Sequence, residues 1–364
     1  MAGAAEFTHL RVASSSSLRY GTATPAALAA RAASLGMPAL ALTDRDGLYG
    51  AFKHVQACAD AGIKPLLGVD LALRAGADPA LSPPDRTAPK RVGFPPSGPL
   101  GRVTLLATGR RGWASLCRLV SAARETRETT EGEVAAVTRE LIAEHASGLV
   151  MLLGPASDVG QAVAARRPDL ARRSLDRWRY LGVDAVVEIV DHLEHKSTFR
   201  AARLAEVARD SGTPAVLSNA VRYLDPIDSL TAQVLDAARH LVPLGSPRLV
   251  PHNGRAYLAS QQDMTAIAER VAAAMTGPGT ASAATLLLGE TQELTRRCVL
   301  DPARDLGVGA RHLPETNGTA HDQYSELKER CERAILHGRY RTASAASRPR
   351  GVSRLRAAEN ARER

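Results

Sequence analysis

The 364-residue chain is poor in cysteine and aromatic residues and has no long apolar run. Cys58, Cys117, Cys298 and Cys331 lie far apart and form no CxxC pair, which argues against a zinc ribbon or disulfide framework and predicts a reducing, cytoplasmic setting. No apolar stretch approaches the roughly 18 residues that a membrane-spanning helix needs. The opening MAGAAEFTHLRV has no basic segment ahead of an apolar run, so neither a secretory leader nor a membrane partner is expected. Gly277-Pro278-Gly279 is not followed by Lys-Ser/Thr and no GxSxG occurs, which removes a P-loop and a hydrolase elbow. The serine run at 14–17 likewise has no nucleophile context.

What is present is an ordinary globular balance, 45% hydrophobic and 23% charged, which excludes wholesale disorder. The formal charge is +9, but eight arginines and two glutamates between Gly338 and Arg364 account for +6 of it. The body is close to neutral, and the basic footprint is a tail expected to be disordered.

Along the chain, short apolar runs alternate with amphipathic stretches. Strands are expected at 7–12, 38–43, 63–73, 102–108, 148–154, 184–190 and 214–219. Helices are expected at 24–36, 47–61, 111–124, 138–146, 168–181 and 197–211. Residues 74–101 are rich in proline and glycine and read as an exposed insertion. About seven strands, each followed by helical material, predict a parallel sheet and favour an α/β barrel over residues 1–225, with an open sheet as the alternative. A mostly helical extension is expected over 226–337, with a loop at 275–285, and the basic tail over 338–364.

The strings FTHLRVASSSSLRYG and ALALTDRDGLYGAFKHVQACADAGIKPLLGVDL resemble the opening of the PHP domain of bacterial C-family DNA polymerases. The likeness is to the alpha subunit of DNA polymerase III and, more narrowly, to its error-prone actinobacterial branch. It continues through VTLLATGRRGWASLCRLVSAA, AVVEIVDH and PAVLSNAVRYLDPIDSLTAQVLDAAR to about residue 335. The resemblance implies a PHP-type (β/α)7 barrel whose strand ends hold two or three metal ions for phosphoester hydrolysis, since paired divalent ions activate water and clamp the attacked phosphate. It also implies a role in DNA replication or repair, with DNA or replisome components as partners.

Carried over position by position, the pattern is depleted. His9 keeps one ligand of the opening pair, but Arg11 replaces the other. Tyr20 stands where the family often has an acid, and Arg45 stands for a histidine between Asp44 and Asp46. Asp70 shortens a glutamate, Pro155 takes a cysteine or histidine position, and Ala220 and Arg222 replace an aspartate and a histidine. Glu188 and His192 match a further string, with His195 beside them. His9, Asp44, Asp70 and His192 are therefore vestigial metal-ligand candidates. Arg11, Arg45 and Arg222 are expected to converge where cations should sit and to oppose metal binding.

No catalytic residue and no cofactor are expected; Mn, Zn or Mg enters only on a phosphoesterase reading. The arginines would either pair with Asp44, Asp46 and Asp70 or bind an anion such as phosphate. His54 and His145 are expected at the surface or as caps, and Trp113 and Trp178 in the core.

The leading expectation is a non-catalytic scaffold or truncated polymerase fragment. Its alternatives are a metal-dependent phosphoesterase or 3′–5′ exonuclease, and a nucleic-acid-binding accessory acting through the Arg-rich tail. The polymerase palm, with its two-metal carboxylates, is expected beyond the matched region, so this chain alone is not expected to polymerise DNA.

Overall fold

A computed structural model of the chain describes residues 7–74, 101–128, 136–311 and 319–336. The insertion, apart from its two ends, and the basic tail lie outside these residues. The strands are β1 (Ala39–Arg45), β2 (Lys64–Leu73), β3 (Gly101–Ala107), β4 (Ala136–Val137), β5 (Leu149–Leu153), β6 (Ala185–Ile189) and β7 (Ala215–Leu217). The helices are α1 (Pro25–Ser34), α2 (Ala51–Asp60), α3 (Gly109–Glu128), α4 (Arg139–Glu144), α5 (Asp158–Ala164), α6 (Pro168–Tyr180), α7 (Ser197–Asp210), α8 (Ser229–His240), α9 (Gln261–Ala274), α10 (Thr280–Cys298), α11 (Pro302–Leu306) and α12 (Ala320–Leu336). One compact unit runs to Val308, and α12 belongs to a second that begins at Gly309.

The sheet order is β1-β2-β3-β5-β6-β7, with β4 paired to β2. The expectation of a parallel sheet needs one correction: β3 is antiparallel to both β2 and β5, while the β1–β2, β5–β6 and β6–β7 pairs are parallel. The segment expected as a first strand is not a regular one. It makes a single parallel bridge, Val12 to Val221, yet it still closes the curled sheet. On one side Ala41 N–H donates to His9 O and Thr43 N–H to Val12 O; on the other, Ala13 N–H donates to Val221 O and Val221 N–H to Arg11 O.

Local chemistry accounts for most element boundaries. Thr24 caps α1 through its side chain, with Pro25 in the first turn, and Gly36 leaves the helix at φ 73°. Ser157 caps α5, a helix absent from the sequence reading, because its seven residues span too few turns to develop a stripe. The loop expected at 275–285 gives way to α10 from Thr280, entered through Gly279 at φ 78°. Ala-rich segments remain helical when a neighbour accepts them, and here Ala283 and Leu287 are buried against the main core.

Leu10, Ala39, Ala41, Leu66, Leu106, Val150, Leu152, Val186 and Val216 fill the barrel interior. Leu67, Val69, Leu71, Leu105, Met151, Leu153 and Val187 face outward into the helical layer. Strands buried on both faces read as continuous apolar runs, which is why PALAL and VMLL carry no alternation.

Candidate functional site

The inward positions of the strands change from apolar to charged as they approach one mouth of the barrel. In β2 the inward side runs Leu66, Gly68, Asp70. In β6 it runs Val186, Glu188, and in β1 Ala39, Ala41, Thr43, Arg45. Because β3 runs the other way, its first residues stand at the same mouth, and Arg102 joins the group.

Asp70 is the centre of this group. Its Oδ2 accepts from Arg11 Nη2 at 2.8 Å and its Oδ1 from Arg102 Nε at 2.6 Å, and Arg45 Nε lies 3.8 Å from Oδ2. Arg11 also donates through Nη1 to Glu188 Oε2 at 3.0 Å, and Arg102 through Nη2 to Asp46 Oδ1 at 2.8 Å. Burial alone would raise the Asp70 pKa, but the three guanidinium groups outweigh it and hold the carboxyl at about 2. Burial and repulsion from Arg102 and Arg11 lower the pKa of Arg45. Its Nε is buried with no hydrogen-bond partner.

Tyr20 organises the rim. The guanidinium carbons of Arg45 and Arg222 lie 3.5 and 3.9 Å from its ring centroid, and Arg239 lies at 5.4 Å. Two planar cations this near one centroid cannot share a face, so the ring is sandwiched between them. This corrects the expected convergence of Arg11, Arg45 and Arg222, because the tyrosine ring separates the third from the first two. Arg222 instead forks onto Asp236 of α8 with bonds of 3.1 and 3.0 Å. His252 and Arg239 reach the same carboxylate at 2.7 and 2.8 Å.

The remaining candidates are occupied elsewhere. Asp44 does not face the arginines; it accepts from Ser14 N–H at 2.7 Å, from the Ser14 hydroxyl and from Ser17 Oγ at 2.7 Å. The serine run thus has a job that sequence reading missed, which is to satisfy a buried carboxylate. His9 is fully buried, with Nε2 donating to Ala259 O at 2.9 Å, and burial lowers its pKa to about 4. His192 likewise donates to Asn219 O at 2.8 Å, and burial lowers its pKa. Pro155 and His195 are exposed, and Ala220 N–H donates to Ser218 Oγ at 3.1 Å. His54, expected at the surface, is buried and bonds Leu40 O at 3.0 Å. His145 is the C-cap residue of α4. Trp178 is fully buried and Trp113 half-buried.

These residues do not fit the metal cluster that the family resemblance implies. A ring nitrogen facing a carbonyl carries its proton and has no lone pair to offer, which disqualifies Nε2 of both His9 and His192; His9 Nδ1, buried without a hydrogen-bond partner, keeps its lone pair but is one donor and not a cluster. The Asp70 oxygens are engaged by guanidinium groups, and those of Asp44 by serines. Among the described residues no group of three or more His, Cys, Asp or Glu side chains is disposed to hold a metal ion.

Gly154, at the end of β5, makes room for the Arg11–Glu188 pair. A Cβ there would stand 2.0 Å from Glu188 Oε2 and 3.5 Å from Arg11 Nη1. Gly154→Ala is therefore expected to destabilise the fold by about 1–3 kcal/mol, the usual cost of overpacking. An unchanged urea midpoint would contradict this account of the pair.

The PHP domain family matches residues 9–192, half of the chain. A DNA polymerase III subunit alpha from Xylella fastidiosa is 30% identical over 301 residues, covering 80% of this chain and 22% of that protein. An error-prone DNA polymerase from Anaeromyxobacter dehalogenans is 31% identical over 266 residues, covering 70% of this chain and 20% of its own length. The chain thus spans about a fifth of these curated relatives. Among solved structures, an amidohydrolase from Chromobacterium violaceum with bound sulfate and no metal aligns with a TM-score of 0.38 at 16% identity, over 59% of this chain and 87% of that one.

Proposed function

Because this chain belongs to the PHP domain family, we infer that it is a barrel module of the DNA polymerase III alpha type whose mouth has become a structural lattice of guanidinium and carboxylate groups. In this reading it serves DNA replication or repair as a non-catalytic scaffold, in the cytoplasm, with DNA or other replisome proteins as its partners. The observation that carries the reading is Asp70. Both its oxygens are held by arginines, at 2.6 and 2.8 Å, in a site where hydrolysis would require them for metal ions. Guanidinium groups keep their charge at every working pH, so they tie the strand ends together without a metal.

Metal analysis of the purified full chain tests this directly. Less than one tightly bound Mn or Zn ion per chain is expected, along with no turnover of a chromogenic phosphate ester in added Mn. Two or more bound ions, or turnover abolished by His9→Ala, would replace the scaffold with a phosphoesterase.

A further inference from the structure

Among the described residues of this aromatic-poor chain, two exposed aromatic side chains stand together on α2 and the loop before it. Tyr49 is 61% and Phe52 56% exposed. Phe52 meets half-buried Trp113 of α3 edge to face, with centroids 6.0 Å apart, and Arg124 of α3 lies 5.1 Å from the Tyr49 ring centroid. Trp113 and Arg124 are eleven residues apart on one flank of α3, a separation of about 16 Å along the helix. The two helices thus present an aromatic strip rather than a single ring.

The charged side chains within this strip are cationic, and carboxylates stand only at its borders. Lys53 and Arg110 are exposed, and Arg124 is half-buried beside Tyr49; Arg111 and Arg118 are exposed on the opposite flank of α3 from Trp113. Residues 47–59 and 109–124 contain no Asp or Glu. Carboxylates border it: Asp46, whose carbonyl accepts from Arg124 Nη2 at 2.9 Å, exposed Glu125 beside Arg124, Asp60, which Gln56 bonds, and Asp305, which Arg304 takes up near the start of α3. Among the described residues Lys53, Arg110, Arg111 and Arg118 make no ion pair. An isolated core-facing cluster would bury these rings. A solvated basic face would not place rings between its cations.

We propose that the α2–α3 face binds single-stranded DNA, with bases stacked on Phe52, Tyr49 and the exposed edge of Trp113, and phosphates met by Lys53, Arg110 and Arg124. Rings accept any base because each base has a π-face, and the cations follow the backbone. Stacking and phosphate contact do not distinguish ribose from deoxyribose. The choice of DNA rests on the proposed polymerase-module function. This surface meets the Asp70 group at one point, where Arg124 Nη2 donates to the Asp46 carbonyl at 2.9 Å.

Fluorescence anisotropy with labelled oligo-dT and the full chain tests the proposal. Phe52→Ala is expected to weaken binding about 5-fold or more, the loss of one stacked base. Arg110→Glu is expected to weaken it and to flatten its dependence on salt. Both side chains are solvent-facing, and circular dichroism melts verify that each variant folds. Oligo-dT affinity unchanged by both substitutions overturns the proposal, as does binding lost entirely on removal of residues 338–364. Tighter binding of oligo-U than of oligo-dT overturns the choice of DNA. None of these readings depends on the metal count, so the scaffold function and the DNA surface fail separately.

Discussion

Replacing Asp70 with asparagine is expected to cost about 3–5 kcal/mol of stability, the loss typical when one partner is removed from a buried charge network. The variant keeps the shape of the side chain but leaves Arg11, Arg102 and Arg45 facing one another across the barrel mouth. Their side chains are only 13%, 17% and 21% exposed, so water screens the resulting repulsion poorly. Urea denaturation should give a lower midpoint with an unchanged slope, because the same surface is exposed on unfolding. A wild-type midpoint would mean that the lattice contributes nothing to the fold and would undercut the structural role assigned to it. By contrast, Asp169→Asn should leave stability nearly unaltered, since the Arg167–Asp169 pair is 55% and 49% exposed.

Acidification from pH 7 to pH 5 is expected to remove a comparable amount of stability, for a different reason. Burial holds both His9 and His54 at about 4, against 6.5 for an ordinary histidine. Between those values the unfolded chain binds protons on both rings and the folded chain does not, so stability falls as pH drops below about 6.5 and continues to fall toward 4. At pH 5 each ring costs about 2 kcal/mol. His192, whose pKa burial also lowers, adds in the same direction. Asp70 acts in a lower window: its contribution is complete above its ordinary value of 3.8 and is lost as pH falls toward about 2. His54→Gln retains a neutral donor toward the Leu40 carbonyl and should flatten the profile between pH 7 and 5. A stability profile flat over that interval in the wild-type chain would show that the two histidines are protonated in the native state.

Much of the site was legible before any fold was built, but its partners were not. That Arg11, Arg45 and Arg222 stand where the family resemblance implies ligands follows from the strings around them. Where each guanidinium goes does not follow. Arg222 could be read as entering the same pocket as Arg11, because nothing local distinguishes a pair with Asp70 from one with Asp236. Arg102 had no signal as a site residue, being the second residue of a strand at the edge of a proline-rich insertion. Its role depends on β3 running against its neighbours, which turns a strand beginning into part of the mouth. Asp44 was assigned to the arginines for want of any way to see that Ser14 and Ser17 fold back onto it. Gly154 carried no special mark, and its necessity comes from a glutamate 34 positions further along.

The sequence by itself determined the strand and helix alternation, the barrel class and which side chains stand at the positions where the family resemblance implies ligands. Those properties reside in periodicity, capping residues and side-chain identity, which act over a few positions. Only the tertiary structure decided strand direction at β3, the Tyr20 sandwich and the pairing of each arginine with its carboxylate. Those depend on which distant residues share a desolvated mouth, where Coulomb attraction is strong enough to select among charges that look equivalent along the chain.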